Sequence, residues 1–382
     1  MRRFLKTAVA VTLAAATFLC FNKNVKAASP SASAEGMVLI NADTLEVLAA
    51  QNAHKRLSMA STTKIMTALL LAETGTPEKT IVTTKQMVTV EGSSMGLLEG
   101  DTVSYHALLV GMLLASGNDA ANTTAIAIGG SVAGFVELMN ERAKSIGMTN
   151  THFVTPSGLD DDEHYSTAYD MALLAAEALK NPYIREVASS SKLTVSYGNP
   201  PYNRTLKNHN KLLEIYDDCI GLKTGFTKKS GRCLVSAAER DGCTVIAVTL
   251  DDPNDWDDHV ALLDYGLDSL NAVDVTYEFW DDTLAVVGGD ADRVRVATEK
   301  FVCSCTKQSA ESMSAKLNIV PFVYAGFEAG KVVGYVDYLY NGNVIHSEPV
   351  YAVGGVNTAK AGKSNKKEIF KEKFKFLLEL II

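Results

Sequence analysis

Residues 58–72 read Ser58-Met59-Ala60-Ser61-Thr62-Thr63-Lys64-Ile65-Met66-Thr67-Ala68-Leu69-Leu70-Leu71-Ala72. From Thr63 onward this segment is apolar almost all round, which predicts a helix over 63–72 that is buried on every side. Ser61 at its first turn and Lys64 three residues on share one face, one turn apart. There a lysine amine can take the hydroxyl proton, provided burial and nearby positive charge lower its proton affinity. An ordinary capping serine would give the same letters. Four Ser-x-x-Lys strings occur, beginning at Ser61, Ser189, Ser304 and Ser364. Only the first precedes a long apolar helix able to hold a reacting pair rigidly and keep water from the amine. Ser189 and Ser304 are expected in polar connections, Ser364 in a linker.

Two further strings carry chemistry. Ser116-Gly117-Asn118 falls in the break after an apolar helix expected over 106–115. A hydroxyl and an amide two residues apart can pass a proton and hydrogen-bond a substrate amide; the same letters also suit a helix C-cap. Lys223-Thr224-Gly225, followed by Phe226-Thr227, is expected on a strand. A cation and a hydroxyl beside a glycine can bind a carboxylate while an extended substrate lies along the strand edge. A bare turn signal is the plainer alternative. Lys229-Ser230-Gly231 repeats the pattern in a turn, and Ser269-Leu270-Asn271 repeats the seryl-amide string at a domain boundary.

Around these strings the chain organises readily. A hairpin is expected over 36–51 about Ala42-Asp43-Thr44. Helices are expected over 106–115, 120–128, 132–145 and 167–179. Strands follow over 220–227, 233–238 and 244–250, then a helix over 257–267. Strands, then helices, then strands with a closing helix make an α/β (α+β) domain over 28–270. Short alternating segments over 273–279, 283–287, 294–297, 317–320 and 332–340, separated by glycines, predict a small all-β domain over 271–358.

The two ends differ from this body. Arg2, Arg3 and Lys6 precede an apolar run over 8–21, then Val25-Lys26-Ala27, which predicts a signal peptide over 1–27. Fourteen apolar residues fall short of the roughly 20 that span a bilayer, and Thr17-Phe18-Leu19 before Cys20 lacks a lipidation signal. In the stretch 359–382, Phe370, Phe374, Leu377, Leu378 and Ile381 recur at helical steps among lysines. This predicts a linker and an amphipathic helix lying on a membrane surface, the alternative being a helix docked on the protein's own core. The net charge of -8 divides into five positive charges before residue 28, +3 over 363–382 and -16 between. So acidic a body argues against a nucleic-acid partner. Once Cys20 is removed five cysteines remain, giving no disulfide framework. Cys303 and Cys305 share a strand face without further zinc ligands. No metal site and no cofactor are expected.

Ser-x-x-Lys, Ser-x-Asn and Lys-Thr-Gly, in this order and on these elements, resemble the motif set of the serine D,D-peptidases, the penicillin-binding proteins. Within them the chain is most similar to the low-molecular-mass D-alanyl-D-alanine carboxypeptidases. Local strings from about Ala34 to Leu267 support this: Pro156-Ser157-Gly158-Leu159, His164-Tyr165-Ser166-Thr167-Ala168, Asn208-His209-Asn210-Lys211-Leu212-Leu213 and Gly221-Leu222. The resemblance implies an antiparallel sheet between helices, and an exported enzyme on the outer face of the cytoplasmic membrane or in the wall. It implies removal of the terminal D-alanine from peptidoglycan stem peptides through an acyl-enzyme on Ser61, with Lys64 as base and Ser116, linked to Lys64 and Lys223, relaying a proton. Asn118 would hold the substrate amide, Lys223 and Thr224 with Gly225 the carboxylate, and the N–H groups of Ser61 and Phe226 the oxyanion. β-Lactam antibiotics would acylate Ser61. Some relatives place an arginine after this sheet, yet no Lys or Arg lies between Asp241 and Asp292. Either Lys223 and Thr224 suffice, or an arginine arrives from elsewhere. The rival readings are a serine β-lactamase, disfavoured because Thr167 stands four residues after Glu163 where an asparagine is expected, and an inert wall scaffold of the same fold.

Overall fold

Along Gly36–Asn41 successive side chains point to opposite faces, and both sets are apolar. Met37 and Leu39 pack into one hydrophobic cluster, Val38 and Ile40 into another. Such a strand must be covered on both sides. The computed structural model describes residues 30–359 together with Phe370, Lys371, Phe374 and Lys375. The expected signal peptide and most of the expected tail lie outside the described residues.

The strand is β1 (Gly36–Asn41) of a five-stranded sheet with β2 (Val47–Gln51), β3 (Cys219–Thr227), β4 (Gly231–Arg240) and β5 (Cys243–Leu250). Their order is β2-β1-β5-β4-β3, antiparallel throughout. One face is covered by α1 (Lys64–Ala72), α2 (Tyr105–Leu113), α3 (Asn118–Gly129), α4 (Val132–Ile146) and α5 (Ala168–Leu179), the other by α6 (Asp255–Ser269). Each fully buried Val, Leu or Ile of this sandwich contributes about 1.5–3 kcal/mol from apolar burial. Helix α1 lies at the centre, with all of Lys64 to Leu71 buried except Leu70. β3 ends the sheet, so its outer edge is free to face the turn that precedes α1.

After α6, Asn271–Asp274 pairs with Val302–Cys305. A six-stranded sheet follows, in the order Met313–Ile319, Val332–Tyr340, Asn343–Ala352, Arg293–Thr298, Thr283–Val287, Phe322–Tyr324. It closes its own core around Val286, Val296, Val336, Tyr338 and Val350. One short helix, Lys307–Glu311, interrupts the expected all-β texture, and the strand expected over 273–279 ends at Asp274.

Ser304 departs from expectation. It is fully buried within Val302–Cys305, not in a polar connection, and its hydroxyl donates to Asn41 Oδ1 and Asp43 Oδ2 at 3.1 and 2.8 Å. The hairpin Lys192–Gly198 with Pro201–Lys207 was not legible. Its second strand is almost wholly solvent-exposed, so no apolar alternation marks it. All five described cysteines are buried free thiols.

Candidate active site

Ser61 lies on a single 3-10 turn, Ala60–Thr63, that runs into α1. It caps nothing: the residue before the turn is Met59, and no side chain bonds to the turn's free N–H groups. Lys64, fully buried, places its Nζ 2.8 Å from Ser61 Oγ and donates to the Ser157 carbonyl at 2.8 Å. Burial holds its proton affinity well below the ordinary lysine range. Lys223 lowers it further, and Asp119 opposes both. A neutral amine so placed can donate to Ser157 and still accept the Ser61 proton.

The turn is braced from behind. Val154 N–H donates to His164 Nδ1 at 2.9 Å, so Nε2 carries the ring hydrogen and donates to Thr63 Oγ1 at 2.8 Å. The Thr63 hydroxyl in turn donates to the Ala60 carbonyl at 2.8 Å. Burial lowers His164 to about 4 and keeps it neutral.

Helix α2 ends before Ser116, which takes a left-handed backbone with φ of 56° and joins α2 to α3. Asn118 is the first residue of α3, not a cap of α2. Its Nδ2 donates to the Glu91 carbonyl at 2.7 Å, whereas its buried Oδ1 has no partner among the described residues. An orphaned buried acceptor invites an N–H donor from a ligand. Ser116 lines the same cleft as Ser61, but no hydrogen bond among the described residues joins it to Lys64 or Lys223.

From the other side comes β3. Lys223 is buried, lowered to about 7 by burial, and donates to the Thr224 carbonyl at 2.8 Å. A Cβ at Gly225 would stand 3.0 Å from Ser61 N and 3.1 Å from Met59 O, so only glycine lets the strand approach the turn this closely. Phe226 is exposed on the rim. The cleft, of about 370 Å³, thus gathers Ser61, Ser116, Thr224, Gly225 and Phe226.

An arginine does arrive from elsewhere. Arg232 on β4 stands across the strand register from Phe226 and lines this cleft. Its Nη2 donates to both Asp255 oxygens at 2.6 and 2.9 Å, its guanidinium lies 5.3 Å from the Trp256 ring, and its buried Nε is unpartnered. The turn expected over 228–231 would have put 233 opposite 226; the observed turn, 228–230, is one residue shorter, and only that register brings Arg232 there. Asp119 and His164 carried no signal in the sequence either.

A family profile described as D-alanyl-D-alanine carboxypeptidase, peptidase family S11, matches residues 23–254. The chain is 32% identical over 339 residues to the D-alanyl-D-alanine carboxypeptidase DacF of Bacillus subtilis, covering 84% of this chain and 85% of that one. Over 354 residues it is 32% identical to DacC of Escherichia coli, covering 86% and 85%. Among solved structures, penicillin binding protein 5 of Haemophilus influenzae superposes with a TM-score of 0.63 at 27% identity, covering 86% of this chain and 98% of that one. Motifs, fold and relatives agree that the chain belongs to the serine-type D-alanyl-D-alanine carboxypeptidases, hydrolases of peptidase family S11.

Proposed function

We propose that this carboxypeptidase works through an ester on Ser61. The observation that carries the reading is the 2.8 Å contact between Ser61 Oγ and a buried, proton-poor Lys64 amine. Ser61 attacks the carbonyl between the two D-alanines of a peptidoglycan stem peptide while Lys64 takes its proton. The N–H groups of Ser61 and Phe226 stabilise the oxyanion, each typically contributing about 3–4 kcal/mol. Ser116 returns a proton to the departing D-alanine amine, through hydrogen bonds that tighten once substrate is bound. Water, again activated by Lys64, then hydrolyses the ester. Asn118 Oδ1 accepts from the substrate amide, and Lys223 and Thr224 take the terminal carboxylate beside Gly225. Arg232, held by Asp255 and Trp256, adds the guanidinium that the stretch after Asp241 lacks.

The same reading puts the enzyme outside the cytoplasmic membrane, its signal peptide removed and its tail lying on the membrane surface. Phe370 and Phe374 support that role, both being helical and 71% and 54% exposed. No helix among the described residues is long and apolar enough to cross a membrane.

Fluorescent penicillin tests the chemistry. The wild type takes up a slowly released covalent label and liberates D-alanine from a stem pentapeptide, and Ser61→Ala does neither. Label retained by Ser61→Ala removes Ser61 from the mechanism; rapid nitrocefin hydrolysis by the wild type makes the protein a β-lactamase instead.

A further inference from the structure

Asp119, on the first turn of α3, is buried, and among the described residues no basic side chain is bonded to it. Its partners come from one stretch of loop. Oδ1 accepts from Met95 N at 2.9 Å, and Oδ2 from Ser94 Oγ, Gly96 N and Leu97 N at 2.6, 3.0 and 2.9 Å. Oδ1 also accepts from its own neighbour Ala120 N at 2.9 Å. Three consecutive loop N–H groups and the N-terminal end of a helix thus surround one carboxylate, an arrangement suited to an anion.

The same loop meets the seryl-amide string directly. Asn118 N donates to Ser93 O and Asn118 Nδ2 to Glu91 O, both at 2.7 Å, and Ser93 lines the cleft with Ser61 and Ser116. A Cβ at Gly117 would meet Asp119 Oδ1 at 2.7 Å and Met95 N at 3.0 Å, so turn and loop are packed to contact. Arg204 Nη1 and Tyr197 Oη hold the loop from outside, donating to the Gly96 and Met95 carbonyls.

We infer that Asp119 is a positioning residue with two tasks: it latches the 91–97 loop against Ser116-Gly117-Asn118, and from the first turn of α3 its buried carboxylate is the counter-charge to Lys64. The charged groups that face Lys64 are Lys223 from β3 and Asp119 from α3, and its other polar neighbours are Ser61 Oγ and the Ser157 carbonyl. Asp119 raises the proton affinity of Lys64, so its removal frees the amine at lower pH.

The inference rests on Lys64 being the base, and its test separates the two. The wild type must first release D-alanine with an acid limb in its pH–rate profile; no activity at all would fail the functional reading itself. In Asp119→Asn, kcat/KM falls about 10- to 100-fold, the scale of an ångström's misplacement, and the acid limb moves to lower pH. Ser94→Ala removes one latch bond and no charge, so its rate falls less and its limb stays. An Asp119→Asn enzyme within about twofold of wild type, or one slowed with its limb unmoved, overturns the inference. Hydrogen exchange on the wild type needs no variant to fold: amides 95–97 exchange as slowly as those of α3, and exchange at loop rates refutes the latch.

Discussion

Gly158 stands where the loop carrying Ser157 crosses the Ser61 turn, and Gly158→Ala puts numbers on that crossing. Its φ of +83° lies in the left-handed region, where a side chain costs about 1–2 kcal/mol. The added Cβ would sit 1.8 Å from the Ala60 carbonyl oxygen and 2.7 Å from Thr63 Oγ1, whereas ordinary contact begins at 3.4 Å. Turn or loop must therefore give by about 1.6 Å, the gap between those two distances. Neither moves freely. Ala60 is fully buried, and the loop is tied by Lys64 to Ser157 O at 2.8 Å, Thr67 Oγ1 to Pro156 O at 2.6 Å and Thr227 Oγ1 to Asp160 at 2.8 Å. Losing one or two of these bonds adds about 1 kcal/mol each, for a total of about 2–4 kcal/mol. At about 2–4 °C per kcal/mol, Tm falls by roughly 5–15 °C. If Ser61 and Lys64 react as proposed, a displacement above 1 Å between them lowers kcat/KM by about 100-fold or more. Gly147→Ala is the control: it ends α4 at φ +91° with nothing within 4 Å of the new Cβ, so it costs only the same left-handed strain, about 1–2 kcal/mol, and leaves the rate alone. Calorimetry and D-alanine release on both variants decide the matter. A Gly158→Ala enzyme with wild-type rate and Tm would falsify the crossing argument.

Other expectations follow from the same site. Lys223→Met loses activity but gains stability: burial lowers Lys223 to about 7 from its ordinary 10.5, so the folded state is penalised most below pH 7 and the penalty fades as pH rises towards 10.5. The Tm advantage of the variant is therefore largest near pH 6 and shrinks towards pH 10; a constant gap refutes it. Arg232→Gln lowers kcat/KM about 10- to 100-fold on peptides ending in a free carboxylate, the range of a hydrogen bond to a charged group, and leaves the C-terminal amide analogue unaffected. An equal loss on both substrates means Arg232 only supports the fold. Truncation after Ala359 yields an active enzyme in the soluble fraction, and one that stays with the membrane pellet favours a tail docked on the protein.

The sequence by itself determined what is local and periodic. An all-round apolar helix opening on Ser61 and Lys64 announces a buried pair, and that helix is found at the centre of the molecule. The strands around Lys223-Thr224-Gly225 and the helix after Asp255 were legible because β alternation and amphipathic spacing are properties of neighbours in the chain. Tertiary structure alone decided what depends on approach through space. It lowered the proton affinity of Lys64 by burial and by Lys223, and put His164 behind the Ser61 turn, 101 residues away in sequence. It brought Arg232 to the cleft through strand register and folded loop 91–97 around Asp119. The physical reason is the same in each case: proton affinity, packing and hydrogen-bond satisfaction are set by what surrounds a group, and that surrounding exists only once distant segments share a core.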